Sequence, residues 1–225
     1  MLNAKSLILK GRKTRILCSG SPAIESTVNL DHGTKLLREG YYADVYQKEG
    51  WVIKVNKRRH KSKDTIRNLT LRSRSIREYK GNRMLANLGL QVPRTALHGI
   101  SIDWTSPVSD ILIIQYMKSY STIENSIVKL RQSGNLKEIL GKVANDINKM
   151  SSHNVLFGDL HFNNIMVSDK GDICWIDTMS KSEWRLKKFY DKLSSKIEQL
   201  HTCKGNRLNP EEWKIFTGKL KLGLS

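Results

Sequence analysis

Two short segments in the second half of the chain combine acids and amides at spacings suited to phosphate chemistry. The first, "LFGDLHFNNIMV" (156–167), places Asn164 five residues after Asp159, and the second, "ICWIDT" (173–178), ends an apolar run at Asp177. Phosphoryl transfer needs a carboxylate that orients or accepts the proton of the attacking hydroxyl, and hard oxygen ligands for Mg²⁺. Asp159 suits the first role, and Asn164 and Asp177 suit the second.

The same chemistry needs a cation on the phosphates, and the first half of the chain offers Lys54. It lies in "WVIKVN" (51–56) among apolar neighbours, where a shielded ammonium requires a carboxylate partner. Glu78 is one of two acids in a strongly basic stretch, and the other, Asp64, falls in a predicted loop. We expect Glu78 to pair with Lys54, with neighbouring arginines on its own helix as the alternative partners.

These residues need elements that hold them, and the first half predicts mainly strands. Alternating apolar residues separated by Gly40 and by "KEG" indicate an antiparallel meander, and a continuous apolar run indicates a buried strand. One helix, preceded by a basic segment and ending at Gly89, is predicted between the third and fourth strands. The five predicted strands are 34–39, 42–47, 51–56, 92–104 and 110–118.

The second half predicts helices around the polar segments. Apolar residues recur at helical spacing, and Ile139, Leu140, Val143, Ile147 and Met150 form one stripe. The predicted helices are 121–134, 136–154, 184–200 and 210–221, the last with Pro210 in its first turn. The fold class is therefore α+β, with a strand-rich part (1–117) and a helical part (118–225) in one two-lobed domain.

Composition narrows the class of protein. The 225 residues are 39% hydrophobic, which is enough for a core, and a net charge of +18 indicates an anionic partner. Cys18, Cys174 and Cys203 have no spacing typical of a disulfide framework or a zinc site. The first residues are unlike a signal peptide, and no run is long enough to span a membrane. We expect a cytoplasmic protein with at most peripheral contact with the inner membrane.

The order of these residues resembles the protein-kinase-like superfamily over about residues 34–200. The resemblance implies that Lys54 holds the phosphates of ATP, Glu78 orients Lys54, Asp159 is the catalytic base, and Asn164 and Asp177 bind Mg²⁺. It also implies that Gly40, Ala43 and Val45 form a hairpin over the nucleotide, and that the backbone at Tyr116 and Met117 meets the adenine.

A narrower resemblance is to the small bacterial heptose kinases of the lipopolysaccharide core. It rests on the chain length, the basic composition, the loop "GDLHFNNI" and the segment "IDTMSKSEWRLKKFYDKL". This resemblance implies that a lipid-linked, anionic sugar is the acceptor and that a heptose hydroxyl receives the phosphoryl group. Such an acceptor accounts for the positive charge without any nucleic acid.

Several alternatives remain open at this point. A small kinase associated with RNA modification has a similar length and charge, a protein substrate is conceivable, and a non-catalytic pseudokinase would bind a partner through its basic face. Residues 57–83 are either a solvated basic face or a patch for phosphate groups. We expect His161 to support its loop, not to act as a base, and Trp175, Trp184 and Trp213 to be core or interface anchors.

Overall fold

A computed structural model describes residues 3–21, 27–202 and 208–221, and it divides the chain into two compact units. The first unit holds the described residues of 1–80 and 93–118, and the second holds those of 81–92 and 119–221. Strands dominate the first unit and helices the second, so the α+β class is confirmed.

An eight-stranded sheet forms most of the first unit. Its strands are β1 (Asn3–Leu9), β2 (Arg12–Gly20), β3 (Thr27–Asn29), β4 (Lys35–Arg38), β5 (Ala43–Lys48), β6 (Trp51–Lys57), β7 (Thr95–Ser101) and β8 (Val108–Gln115). Their order is β3-β1-β2-β7-β8-β6-β5-β4. Neighbouring strands are antiparallel, except that β1 and β3 are parallel.

The sequence predicted five strands for the first half of the chain, which is too few. The first thirty residues form three further strands, β1, β2 and β3. The hairpin of β1 and β2 turns at Lys10 and Gly11, and both residues have positive φ, at 51° and 69°. Asp31 accepts hydrogen bonds from both of their backbone N–H groups. A two-residue turn ending in glycine between alternating apolar runs is a hairpin signal, so this one was present in the sequence.

The sheet buries one face of its strands in a core that includes Leu7, Ile16, Ile53, Val55 and Ile111. Strand β8 is buried at every position except Gln115, as its apolar run predicted. It lies in the interior of the sheet, between β7 and β6. Since side chains alternate along a strand, Lys54 projects from the opposite face to Ile53 and Val55.

Two helices replace the single helix predicted for the first half. They are α1 (Lys61–Leu69) and α2 (Arg74–Asn87), and Leu71, with φ of 53°, lies in the break between them. Asp64 was expected in a loop but lies in α1, where its carboxylate accepts the backbone N–H groups of Arg59 and His60. This interaction satisfies donors at the start of α1 and explains why the basic segment is helical.

Among its described residues, the second unit contains the end of α2, four further α-helices and several short strands. The elements are β9 (Tyr120–Thr122), α3 (Ile123–Gln132), α4 (Leu136–Ser152), β10 (Val155–Leu156), β11 (Ile165–Ser168), β12 (Ile173–Trp175), β13 (Lys181–Ser182), α5 (Leu186–Thr202) and α6 (Pro210–Gly218). The predicted stripe on α4 is confirmed, since all five of its residues are buried in one core. Strands β12, β11 and β9 form a small sheet, and β10 pairs with β13.

The remaining sequence predictions divide. Pro210 opens α6, as expected, and Trp175 is fully buried, but Trp184 is 78% exposed and is not a core residue. Cys18 and Cys174 are buried and free, whereas Cys203 lies outside the described residues. Within residues 3–21, 27–202 and 208–221, every helix is too short or too polar to cross a bilayer.

Candidate active site

Lys54 and Glu78 form an ion pair within the first unit. Lys54 Nζ lies 2.5 Å from Glu78 Oε1, and their side chains are only 17% and 7% exposed. The register of the sheet places Lys54 between Val45 on β5 and Leu112 on β8. The expected partnership is therefore confirmed, and a partly buried ammonium is held in place by a buried carboxylate.

The turn that joins β4 to β5 is tight. A Cβ atom at Gly40 would lie 2.6 Å from the carbonyl oxygen of Ala43, so no larger residue fits without a shift of the backbone. The N–H of Gly40 also donates to the Asp44 carboxylate, which forms an ion pair with Lys57. These contacts fix the turn that precedes Val45.

After β8, the chain runs through Tyr116 and Met117. The N–H of Tyr116 donates to the carbonyl of Gly50, and its own carbonyl accepts from Lys118. The N–H of Met117 has no partner among the described residues of the first unit. Of the two residues expected to meet the adenine, Met117 is therefore the one that keeps a backbone donor for a ligand.

The polar loop of the second unit is organised by Asn164. Its side-chain Nδ2 donates to the backbone carbonyl of Asp159 at 2.8 Å and to Asp159 Oδ2 at 3.3 Å. A single turn of 3₁₀-helix (Phe162–Asn164) brings these residues together, and Phe162 anchors that turn in the core. The Asp159 side chain remains 54% exposed and accessible to a substrate.

His161 lies beside the same carboxylate. Its Nε2 is 3.0 Å from Asp159 Oδ1, and its carbonyl accepts the N–H of Asn164. Together with Asn164 it contacts both oxygens of Asp159. The geometry agrees with the expectation that His161 supports the loop.

Asp177 follows β12 in a strained conformation. Its φ of 55° lies in the left-handed region, which costs a residue with a Cβ roughly 1–3 kcal/mol. The preceding residue, Ile176, donates its N–H to the carbonyl of Asn164. The metal residues proposed from the sequence, Asn164 and Asp177, are thus linked through the backbone.

A contact that the sequence analysis missed holds the turn after Asp177. Thr178 is fully buried, and its hydroxyl donates to Asn82 of α2 at 2.5 Å. Gly81 comes directly before Asn82 in α2, and a Cβ atom at Gly81 would overlap the carbonyl oxygen of Thr178. The sequence signal was the glycine itself, because glycine in a helix interior is unfavourable unless something approaches closely.

Lys196 is a second residue that the sequence analysis missed. It projects from α5, and its Nζ donates to the carbonyl of Gly158, directly before Asp159. Burial lowers the pKa of Lys196, the charge of Asp159 raises it, and Lys181 lowers it. No periodicity distinguishes this lysine from the others on a basic helix, so only the tertiary structure identifies it.

The donor set of the second unit fits a hard cation. Because Nδ2 of Asn164 is engaged by Asp159, its Oδ1 is the atom left for a ligand, and Asp177 supplies a carboxylate. Among the described residues, no three His, Cys, Asp or Glu side chains form a metal cluster. Mg²⁺ does not need such a cage, since it binds through one or two carboxylates plus water and phosphate oxygens.

Comparison with solved structures identifies the fold. The chain aligns with a structure of WaaP in complex with acyl carrier protein at 16% identity and a TM-score of 0.56, covering 82% of this chain and 77% of that one. It also aligns with WbdD at 15% identity and a TM-score of 0.49, spanning 45% of that longer chain. A search of curated proteins found no match.

The sequence itself matches the description "Lipopolysaccharide kinase (Kdo/WaaP) family" over residues 36–217. This range contains every site residue described above. Because the match covers most of the sequence, this chain belongs to the lipopolysaccharide kinase (Kdo/WaaP) family.

Proposed function

We propose that this chain transfers the γ-phosphoryl group of ATP to a sugar hydroxyl of the lipopolysaccharide inner core, and that the acceptor sugar is a heptose. The observation that carries the proposal is the loop in which Asn164 holds both the backbone and the carboxylate of Asp159. Family membership supports a lipopolysaccharide acceptor. The heptose follows from the resemblance of the sequence to heptose kinases.

In this proposal the first unit binds the nucleotide. Lys54, fixed by Glu78, provides the positive charge for the phosphates, and the ion pair keeps the ammonium from adopting other rotamers. Gly40 and Ala43 form the turn over the phosphates, and Val45 covers the adenine. The backbone at Tyr116 and Met117 meets the edge of the adenine, with the N–H of Met117 as the donor.

In the second unit, Asp159 is the proposed catalytic base. It accepts the proton of the sugar hydroxyl as that oxygen bonds to the γ-phosphorus and the bond to the β-phosphate oxygen breaks, releasing ADP. Asn164 and Asp177 would hold Mg²⁺, which neutralises charge on the phosphates when bound. The protein contributes mainly positioning and electrostatic stabilisation.

Lys196 is the proposed positioning residue for the loop. Its ammonium binds the carbonyl of Gly158 and attracts the Asp159 carboxylate. The ammonium therefore fixes the backbone directly before the base. His161 completes the contacts of Asp159 from the other side.

The proposed acceptor is lipid-linked and anionic, which places the reaction at the cytoplasmic face of the inner membrane. A chain with a net charge of +18 is attracted to such a surface. We propose peripheral association through this charge. The rival proposal, a kinase that works with RNA, predicts salt-dependent binding of transfer RNA instead.

The decisive experiment is mass spectrometry of the lipopolysaccharide core from a strain that lacks this protein. The expected result is the loss of one phosphate from a heptose, restored by the native protein but not by Asp159→Ala. A core with every phosphate in place would overturn the lipopolysaccharide assignment. Restoration by Asp159→Ala at native efficiency would overturn the assigned base.

A further inference from the structure

The starts of helices α1 and α2 border a small cavity on the first unit. Lys54 is not among the residues that line this cavity. Its volume is about 50 Å³, room for roughly three water molecules or one small ligand group. Five basic residues lie in its wall, against two acids. The basic residues are Lys57, Arg59, His60, Arg67 and Arg74.

The two acids of the cavity are already engaged. Asp64 accepts two backbone N–H groups at the start of α1 and forms an ion pair with Arg67 at 3.3 Å. Asp110 is buried and accepts the N–H of Ser75 and the side-chain amide of Asn56. Neither acid therefore forms an ion pair with Arg59 or Arg74.

Arg59 and Arg74 are the arginines of this wall that have no carboxylate partner among the residues the structure describes. Within the described part of the first unit, neither guanidinium has an ion pair or a hydrogen bond to protein. Instead, Arg59 stacks over Tyr41 at 3.5 Å, and Arg74 stacks over Tyr42 at 4.1 Å. Stacking uses the face of a guanidinium and leaves its in-plane N–H donors for a ligand.

Like charges lie close together at the same place. Burial lowers the pKa of Arg77, the nearby charges of Arg74 and Arg67 lower it further, and the charge of Asp110 partly opposes this decrease. Such repulsion destabilises the free protein and is relieved by an anion. A phosphate monoester carries close to two negative charges at neutral pH and matches the fork of an arginine bidentately.

We propose that Arg59 and Arg74 form a binding site for a phosphate monoester group, separate from the nucleotide phosphates at Lys54. The tyrosines hold both guanidiniums before the ligand arrives, so little side-chain entropy is lost on binding. The site selects phosphorylated ligands at a membrane surface over other anionic lipids. It goes beyond phosphoryl transfer and does not depend on catalytic activity.

Vesicle binding tests the site directly. The probes are phosphatidylcholine vesicles with an equal fraction of either phosphatidic acid, which exposes a phosphate monoester, or phosphatidylserine, which does not. We expect tighter binding to phosphatidic acid, and a loss of about tenfold or more for that lipid alone when Arg59→Gln and Arg74→Gln are combined. Arg12→Gln, at an exposed position of strand β2, is the control for charge and should change binding little.

Three further measurements separate the alternatives. Inorganic phosphate should compete with phosphatidic acid, which identifies the phosphate group and not the membrane surface as the ligand. Saturating Mg·ATP should leave binding intact; displacement would mean that the cavity belongs to the nucleotide site and would overturn the proposal. Selective loss of transfer RNA binding in the double variant, with vesicle binding retained, would also overturn it.

Folding is controlled with conservative variants. Arg59→Lys and Arg74→Lys keep the charge but lose the planar fork, so we expect them to bind phosphatidic acid more weakly than native protein at an unchanged unfolding temperature. Native-level binding by the lysine variants, or equal losses in Arg12→Gln and the double variant, would show that only net charge matters and would end the proposal.

Discussion

The position of Asp159 is fixed by contacts from two parts of the second unit, its own loop and helix α5. Asn164 binds its backbone and one carboxylate oxygen, His161 lies at the other oxygen, and Lys196 binds the residue before it. A carboxylate that had only to close a turn would not need this arrangement. The contacts limit its rotation while leaving it exposed to an acceptor, as a base requires.

Substitution of Asp159 by alanine should remove turnover and spare nucleotide binding. The loss of a general base lowers the rate about 10²- to 10⁴-fold, and Asp159 is not a proposed ligand of the nucleotide. Single-turnover assays with ATP, together with calorimetric titration of Mg·ATP, measure the two effects. Asp191→Ala, on the exposed face of α5, is the matched control, and near-native turnover in Asp159→Ala would contradict the assigned role.

Asp177→Asn should instead weaken the Mg²⁺-dependent part of nucleotide binding. Asparagine tolerates the left-handed conformation at this position, so the turn should survive while the charge on the metal site is lost. Titration of ATP with and without Mg²⁺ measures the difference. An unchanged dependence on Mg²⁺ would exclude Asp177 as a ligand.

Lys196→Met should lower kcat by about tenfold and leave the affinity for Mg·ATP unchanged, because the lost ammonium acts on Asp159 and not on the nucleotide. Lys196→Arg keeps the charge and should recover part of kcat. If methionine and arginine variants lose activity equally, or if both lose only affinity for ATP, Lys196 does not position the base. Unfolding temperatures of both variants control for packing on α5.

At the scale of elements, helix α2 makes two different sets of contacts, one in each half of its length. Its first half presents Glu78 to Lys54 within the first unit. Its second half presents Gly81 and Asn82 to the turn after Asp177 within the second unit. A helix so committed at both ends leaves little freedom for substitution at Gly81.

Gly81→Ala should therefore be destabilising, although alanine normally favours a helix by about 1 kcal/mol over glycine. Its Cβ would overlap the Thr178 carbonyl, a backbone atom that cannot rotate away. Thermal unfolding and kcat should both fall. Gly218→Ala, in helix α6 with no atom within 4 Å of the added Cβ, is the control and should be neutral or stabilising; equal behaviour of the two variants would contradict the packing argument.

The elements themselves were largely predictable where one periodicity dominated. Strand β8 and helix α4 are continuous or amphipathic apolar patterns, and both appear where the sequence indicated. The helix in segment 57–73 was not predictable, because α1 is mostly polar. It depends on a single carboxylate, Asp64, that accepts the N–H groups at its start. Local composition there favoured a loop, and the hydrogen bonds decided otherwise.

At the scale of the whole molecule, each unit has its own apolar core, and each unit holds one buried cysteine among its described residues. Cys18 lies in the core of the first unit, and Cys174 is fully buried in the small sheet of the second. Burial raises the pKa of both thiols, that of Cys174 to about 12, while Lys5 partly opposes the increase at Cys18. The two thiols are internal reporters of the two units.

In a Cys203→Ser background, both buried thiols should resist a thiol reagent in the native protein. At pH 8 a thiol of pKa 12 is ionised in roughly one molecule in ten thousand. Labelling should therefore occur only after a unit opens, and mass spectrometry of each cysteine peptide during a denaturant titration measures that opening. Immediate labelling of Cys174 without denaturant would contradict its burial.

The sequence by itself determined which residues are candidates for the proposed chemistry and their order along the chain, which is Lys54, Glu78, Asp159, Asn164 and Asp177. It also indicated most of the strands and helices around them. It did so because apolar periodicity and polar spacing are local properties of the chain. Only the tertiary structure decided that Gly81 contacts Thr178, that Lys196 reaches Gly158, and that Arg59 and Arg74 stack on adjacent tyrosines. Those contacts join residues distant along the chain, and no local pattern distinguishes them from ordinary glycines and surface cations.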